Sequence, residues 1–514
     1  MPRLPLPLAL LLPLLTVLLA SKSKSYNNLG SGVGSFSHPD TSQTEEYVLA
    51  SPNIRLYSPH GASWRTWFHP RRTGSAGRKG EWNLLYHLGG NGPWVELGEG
   101  QAGIEPPEGC IVDQVHMMSR HAERYPTSSV GSRHLALLNR IKEANLVLNG
   151  SLAFLNNWTY FSVDPSREFE QLTTTGPYAG TLGAFTTGVR FRTRYGHLLP
   201  RHSRTRLWAS DSERVIHTAQ HFASGMFGLN WEKDHAELQV IPETFERGAD
   251  TLTPGDTCLR YLEDTQHGHD NGVNMLALFQ EAYIPAIAER LVSVEGNQAL
   301  GNLANLEVFG MQEMCAFETT VRGSSPWCDV FTEDEWEQFE YARDVIHYYR
   351  AGPGNPYAGA MGWLWLNATA ALLHSGPEAG TLFFSFVHDG DIAPLLTALN
   401  IFNDSKYDPN LPVTHAAPDR IWRMSPIMPM GGRITLERMT CSSNTDEDVN
   451  RTFLRININD QIVQLPYCHS GPGGSCPLDA FMDYVRRRRG EVGEFADVCG
   501  LGRDVGYISF LKHQ

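Results

Sequence analysis

Three stretches of this chain, far apart in sequence, begin the same way: a short apolar run empties into a polar turn. They are "IVDQVHMMSRHAERYP" at 111–126, "RLWASDSERVIHTAQHFASGMFG" at 206–228 and "TLFFSFVHDGDIAPLLTALN" at 381–400. Apolar runs of this length ending in turn residues read as buried strands. In the second, Ser210 to Ser212 can cap a helix beginning near Glu213; in the third, the turn His388-Asp389-Gly390 leads into a helix opening with Asp391. Buried strands that alternate with helices build an open α/β sheet, whose ligands bind beyond the carboxyl ends of the strands. Arg120, His121 and Arg124 in one turn, Arg214 just past another, and His388 with Asp389 in the last can therefore converge on one pocket.

The remaining chain sets the frame. With 514 residues, 41% of them hydrophobic, it can bury a large core. Residues 1–20 carry one early arginine, Arg3, an unbroken apolar stretch and a small residue at Ala20, the pattern of a secretory signal peptide. No later run has the eighteen or so apolar residues of a membrane helix, so no membrane partner is expected. Residues 21–80, rich in Ser, Gly, Pro and Arg, read as a variable N-terminal arm, and one folded body begins near residue 81. Eight cysteines without a CxxC pair suit an oxidising compartment, as do sequons at Asn149, Asn157, Asn367, Asn403 and Asn450. A net charge of −14 argues against nucleic acid as a partner, and the run Arg486 to Arg489 reads as a solvated helix face. Two segments look like scaffold alone. "FTEDEWEQFEYARDVIHYYR" has Thr332 as its cap and Trp336, Phe339, Ile346 and Tyr349 along one side; "AGAMGWLWLNATAALLHSG" is a more buried helix ending at Gly376.

Three arginines, two histidines and one aspartate make a poor metal site, because guanidinium cannot ligate and repels cations; neither metal nor cofactor is expected. They suit an oxyanion. Arginine forks can hold phosphoryl oxygens bidentately, His121 could attack phosphorus, His388 could add a hydrogen bond, and Asp389 is the natural acid for the leaving alkoxide. Asp391 and Glu123 are rival donors. An aspartate with an ordinary pKa near 4 is protonated only in acid, so the expected activity is best below neutrality.

The segment Arg120-His121-Ala122-Glu123-Arg124-Tyr125-Pro126 resembles the RHGxRxP signature of the histidine acid phosphatases, and His388-Asp389 resembles their HD motif. "LGGNGPW" at 88–94, "TTTGPYAG" at 173–180, "MPMGGRITLERMTC" at 428–441 and "SGPGGSCPL" at 470–478 are similar to segments of the fungal acid phosphatase and phytase B branch. The resemblance covers roughly residues 80–500. It implies a phosphoglycerate mutase-like α/β domain with a mixed sheet, and a smaller, mostly helical domain inserted at about 130–205 and 230–330, within a catalytic region of 81–510. It assigns His121 as nucleophile, Asp389 as proton donor, and Arg120, Arg124, Arg214 and His388 as phosphate-binding groups. It also implies the pairs Cys110–Cys441, Cys258–Cys499, Cys315–Cys328 and Cys468–Cys476; eight cysteines by themselves allow 105 pairings.

The resemblance points to a secreted phosphomonoesterase, with retention at the cell wall left open. Some members of the branch assemble as tetramers, so a homo-oligomer is a further expectation. Only Arg133 follows the signature closely as an extra cation, and Glu318 aligns with a pocket carboxylate that disfavours a polyanion; phytate is therefore expected as a substrate at low pH only. One departure is Ala122 in place of the signature glycine. A positive φ there would penalise a Cβ and favour the alternative, a catalytically impaired secreted glycoprotein that binds anions. A phosphoglycerate mutase-like transferase shares the RHG nucleophile but fits poorly with a signal peptide, sequons and cysteines.

Overall fold

The structure, a computed structural model, describes residues 82–95, 104–442, 450–502 and 505–514. The proposed signal peptide, the arm at 21–80 and the side chain of Asn450 lie outside the described residues.

Among the described residues eight strands form one mixed sheet: β1 Cys110–Arg120, β2 Thr205–Ser210, β3 Ala236–Ile241, β4 Leu382–Val387, β5 Arg433–Ser442, β6 Asn450–Ile458, β7 Gln461–Val463 and β8 Cys476–Pro477. The order is β3-β2-β4-β1-β5-β6-β7, with β8 on β6. The first four strands run parallel to one another, and β5 to β8 complete an antiparallel half. Register sets the function. Arg120 pairs with Val387 and Ala209 with Phe386, while Ser210 pairs with Ile241, so all four parallel strands end at one edge within about a residue.

Side chains alternate across this sheet as strand geometry requires. Val115, Met117, Leu207, Ala209, Phe384 and Phe386 enter one core; Met118, Trp208, Phe383 and Val387 enter the other. Among the described residues nine longer helices follow the chain order: α1 Ser128–Glu143, α2 Gly180–Tyr195, α3 Glu213–Phe227, α4 Asn271–Glu289, α5 Asn305–Arg322, α6 Glu333–Ala351, α7 Ala358–Ser375, α8 Asp389–Ala398 and α9 Leu478–Val492. Phe191 of α2 and Phe222 of α3 fill the first core, whereas α4 to α8 share the second. The pair α7 and α8 touches closely: a Cβ on Gly362 would lie 2.0 Å from the Pro394 carbonyl oxygen, so only glycine lets the helices approach to this distance.

Several expectations change. β3 falls inside the range expected to be a helical insertion from 230 onward, yet it is a sheet strand whose Leu207↔Leu238 register with β2 is parallel. α8 opens at Asp389 rather than Asp391, because the Asp391 carboxylate accepts from the His388 backbone N–H at 3.0 Å and closes the first turn earlier. Arg488 is no solvated side chain: its guanidinium donates to the carbonyls of Ala398 and Thr397 and satisfies the last turn of α8. Thr332 does cap α6, accepting from the Glu335 N–H.

The eight cysteines pair as Cys110–Cys441, which joins partners across β1 and β5, and as Cys258–Cys499, Cys315–Cys328 and Cys468–Cys476. No helix among the described residues is long and apolar enough to cross a membrane.

Candidate active site

Beyond the common edge of β1, β2, β3 and β4 lies a cavity of about 340 Å³. His121, Arg124, Arg214, His388 and Asp389 all line it, from three strand ends separated by more than 260 residues of chain.

His121 follows β1 directly and its N–H donates to the Val387 carbonyl, which continues the β1–β4 ladder. Its Nδ1 lies 2.9 Å from the carbonyl oxygen of Ala122. A carbonyl only accepts, so Nδ1 carries the proton and Nε2 keeps its lone pair. Burial, then the charges of Arg120, Arg124, Arg214 and His388, hold the imidazole well below its ordinary pKa. The ring therefore stays neutral in moderately acidic solution. It meets His388 edge-on at 5.8 Å between centroids.

The other groups have fixed partners. Arg214 Nη2 donates to His388 Nδ1 at 3.3 Å, which leaves the His388 proton on Nε2, directed at Glu243 Oε1 2.9 Å away. His388 thus orients Arg214 here. Arg120 sits behind the cavity wall: Nη1 donates to the carbonyls of Gly90 and Met428, both at 2.7 Å, and Nη2 pairs with Asp389 Oδ2 at 2.7 Å. Burial pushes Asp389 up, but Arg120, His347, Arg350 and His121 outweigh it and hold the carboxyl well below the usual range. The ordinary pKa assumed from sequence does not apply; Asp389 is ionised in the unliganded site. Arg124, lowered to about 9 by burial and its cationic neighbours, remains charged in acid. The Nε–H groups of Arg124, Arg214 and Arg350 are buried without a partner in the protein.

Segments singled out by resemblance buttress this loop. Thr173 accepts from the Gly180 N–H and both its N–H and hydroxyl contact the Glu123 carbonyl. Gly431 N–H donates to the His121 carbonyl, and Arg120 N–H to that of Gly432. "SGPGGSCPL" lies elsewhere, on β8 and its disulfide loop. Among the described residues no group of three or more His, Cys, Asp or Glu could hold a metal ion.

Residues 111–459 match the histidine phosphatase superfamily (branch 2). The chain belongs to this family. It is 34% identical over 425 residues to a phytase of Candida albicans, spanning 82% of this chain and 88% of the relative. An acid phosphatase of Komagataella pastoris is 33% identical over 451 residues, 85% of this chain and 90% of that one. The crystal structure of the phytase from D. castellii superposes with a TM-score of 0.75 at 29% identity, over 85% and 93% of the two chains. A multiple inositol polyphosphate phosphatase of Bifidobacterium longum shares the fold alone, with a TM-score of 0.59 at 12% identity over 78% and 97%.

In this histidine acid phosphatase and phytase-type hydrolase, three further findings correct the sequence reading. Helix α6, taken as scaffold, places Arg343, Ile346, His347 and Arg350 in the cavity wall. Arg343, His347 and Arg350 stand at i, i+4 and i+7, one helical stripe, which is the signal that could have found them. Glu243 was missed because β3 was, since it follows that strand as the other site residues follow theirs. Glu318 lies outside the cavity lining; it accepts from Trp158 Nε1 at 2.9 Å and from the Ser325 hydroxyl at 2.6 Å, and it pairs with Arg322. Glu313, one and a half turns away, is the carboxylate of α5 that lines the cavity, and Arg133 pairs with it at 2.9 Å. Of the rival donors, Asp391 lines the cavity, whereas Glu123 accepts from the Trp94 N–H and borders a separate small void. Ala122 is outside the left-handed region, and its buried methyl packs with Leu172 and Ala184. The signature tolerates alanine without backbone strain.

Proposed function

We propose that this protein is a secreted acid phosphomonoesterase that cleaves phosphate monoesters, phytate among them, through a phosphohistidine on His121. One observation carries the reading: a neutral His121 with its Nε2 lone pair available, in a cavity walled by guanidinium groups with unpartnered donors.

Arg124 and Arg214 hold the phosphoryl oxygens. His121 Nε2 attacks phosphorus, the N–P bond forms and the ester P–O bond breaks. Asp389 gives the departing alkoxide its proton. Water then attacks phosphorus, Asp389 takes its proton, and the N–P bond breaks to release orthophosphate and restore the imidazole. Asp389 acquires its proton from the substrate's arrival. A phosphate monoester has its second ionisation near 6, so below that pH it enters as a proton-bearing monoanion, and its charge also counters that of Arg120. Acid activity follows from the substrate as much as from the enzyme. Arg120, bound to Asp389 and two carbonyls, positions the acid and the loop.

Arg343 and Arg350 supply cations beyond the transfer site, and two of the relatives above are phytases. Asp256 and Asp391, both raised by burial, are the cavity carboxylates that acid neutralises most readily, which favours a polyphosphate at low pH. Secretion draws support from four disulfides and from exposed asparagines at the sequons 149, 157, 367 and 403.

The test is hydrolysis of an aryl phosphate and of phytate from pH 2 to 8, with a chelator, by wild type and His121→Ala. Chelator-resistant activity below neutrality, lost by at least ~10⁴-fold in the variant, is expected. A maximum near pH 8, or an active His121→Ala protein, would sink the phosphohistidine reading.

A further inference from the structure

A second cleft, about 590 Å³ and distinct in its lining from the active-site cavity, opens between α7, the segment Phe495–Val498 and residues 505–508. Trp363 and Asn367, one turn apart on α7, stand in its wall with Tyr507, Arg489, Asp497 and Lys512. Asn367 is the exposed asparagine of Asn367-Ala368-Thr369, while Thr369 is completely buried and its hydroxyl has no partner.

That contrast orders events. Transfer of a glycan to a sequon requires access to the hydroxyl as well as the amide. In the folded protein the Thr369 hydroxyl is sealed on the buried face of α7, so modification has to precede the docking of this helix. Once attached, the sugar is tethered inside the cleft, and the high effective concentration of a tethered group makes weak contacts sufficient. The chemistry of the wall suits a carbohydrate. Tyr507 is 60% exposed with the Lys512 ammonium 4.3 Å from its ring centroid, and Arg489 lies 5.6 Å from the centroid of Trp363. Trp363, 6% exposed, forms the floor, so the exposed Tyr507 ring is the aromatic surface offered to the C–H face of a pyranose, and the charged groups beside it bond hydroxyls.

We infer that Asn367 is N-glycosylated before α7 packs and that the inner sugars of this glycan occupy the cleft. In the transfer, Asn367 Nδ2 forms a bond to the anomeric carbon of a polyprenyl pyrophosphate-linked oligosaccharide. The bond from that carbon to the pyrophosphate breaks, the lipid pyrophosphate leaves, and the amide proton passes to a base.

The inference rests on the proposed secretion, and one experiment separates their failures. Full-length protein secreted from a eukaryotic host is digested with an endoglycosidase, native and denatured, and each sequon is followed by peptide mass spectrometry. Asn367 should be occupied and released from native protein at least ~10-fold more slowly than Asn149, the factor given by about 1.4 kcal/mol of seating. Denaturation, or Tyr507→Ser with activity unchanged, should abolish the difference. An empty Asn367 beside an occupied Asn149, or equal release from native protein, overturns the inference alone. Absence of glycan at every sequon overturns the secretion reading with it.

Discussion

At the carboxyl ends of β1, β2 and β4, His121, Arg214 and Asp389 follow closely on buried apolar strands, whereas Arg343, His347 and Arg350 ride on a helix whose other faces hold Trp336, Phe339 and Val345 in the core. The two sources differ in how tightly they fix a side chain. Strand-end groups are held by sheet register and by backbone hydrogen bonds such as His121 N–H to Val387, which suits atoms that must meet a phosphorus in line. Groups on α6 project along a stripe about 10 Å long, since i to i+7 spans two turns, and suit the remainder of a substrate. In the proposed mechanism the reacting phosphoryl group belongs to the strand ends, and substrate discrimination to the helix.

After removal of the His121 nucleophile, the largest effect should come from the strand-end acid. Asp389→Asn should lower kcat/KM, which reports the steps up to departure of the alcohol and not the later attack of water, by about 10²–10⁴-fold on an alkyl phosphate and far less on an aryl phosphate, whose phenolate leaves without a proton. Equal losses on both, measured by steady-state kinetics, would make Asp389 a support for Arg120 alone.

The pH profile ranks next. An ordinary imidazole at pH 4.5 would be about 1% neutral, a fall of ~100-fold from its level above pH 7. His121 is held well below 6.5 by burial and by its cationic neighbours, so the acid limb of kcat/KM should lie well below that value. Arg124→Gln should move the limb upward. A wild-type limb at 6.5 would place His121 in a wetter, less cationic setting than this one. Stability carries the same sign. His116 and His347, both lowered to about 3, chiefly by burial, take up protons first in the unfolded chain. Their contribution is present above 6.5 and is lost as pH falls toward 3, which a thermal melt series would register.

On the helix side, Arg350→Ala should raise KM for phytate about 10-fold, the scale of one charged hydrogen bond, while leaving kcat on an aryl phosphate within ~3-fold. Comparable losses on both substrates would erase the distinction between helix and strand ends.

The same contrast explains what the sequence disclosed. Arg120-His121 and His388-Asp389 break buried apolar runs, and only a strand end makes that pattern economical, so these groups were visible. β3 was not. Its segment, Ala236 to Ile241 with Glu237 and Gln239 between apolar residues, lies on the sheet edge and is half-exposed, so it lacks the continuous apolar run of β4. Glu243 was lost with it. On α6 the buried stripe satisfied the expectation of packing, and nothing in the polar stripe beside it signals that residues of α1, α5 and the β4–α8 turn line the same cavity. Glu318 and Glu313 show the limit of alignment by position: five residues along α5 turn a side chain through about 140°, from the cavity into the Trp158 and Ser325 contacts.

Ala122 gives the smallest and most discriminating change, because it tests the signature loop itself. Its methyl is buried against Leu172 and Ala184, and its N–H donates to the Thr218 hydroxyl at 3.0 Å, in a backbone conformation that needs no glycine. Ala122→Gly removes one buried carbon and adds freedom to the unfolded chain, together about 1–2 kcal/mol of stability. The thermal midpoint should fall by a few degrees at most in a protein of this size, with kcat/KM on an aryl phosphate within ~3-fold of wild type. A glycine variant several-fold faster than wild type would mean that the methyl narrows the approach of phosphorus to His121, and the strand end would then owe its reactivity to space as well as to register.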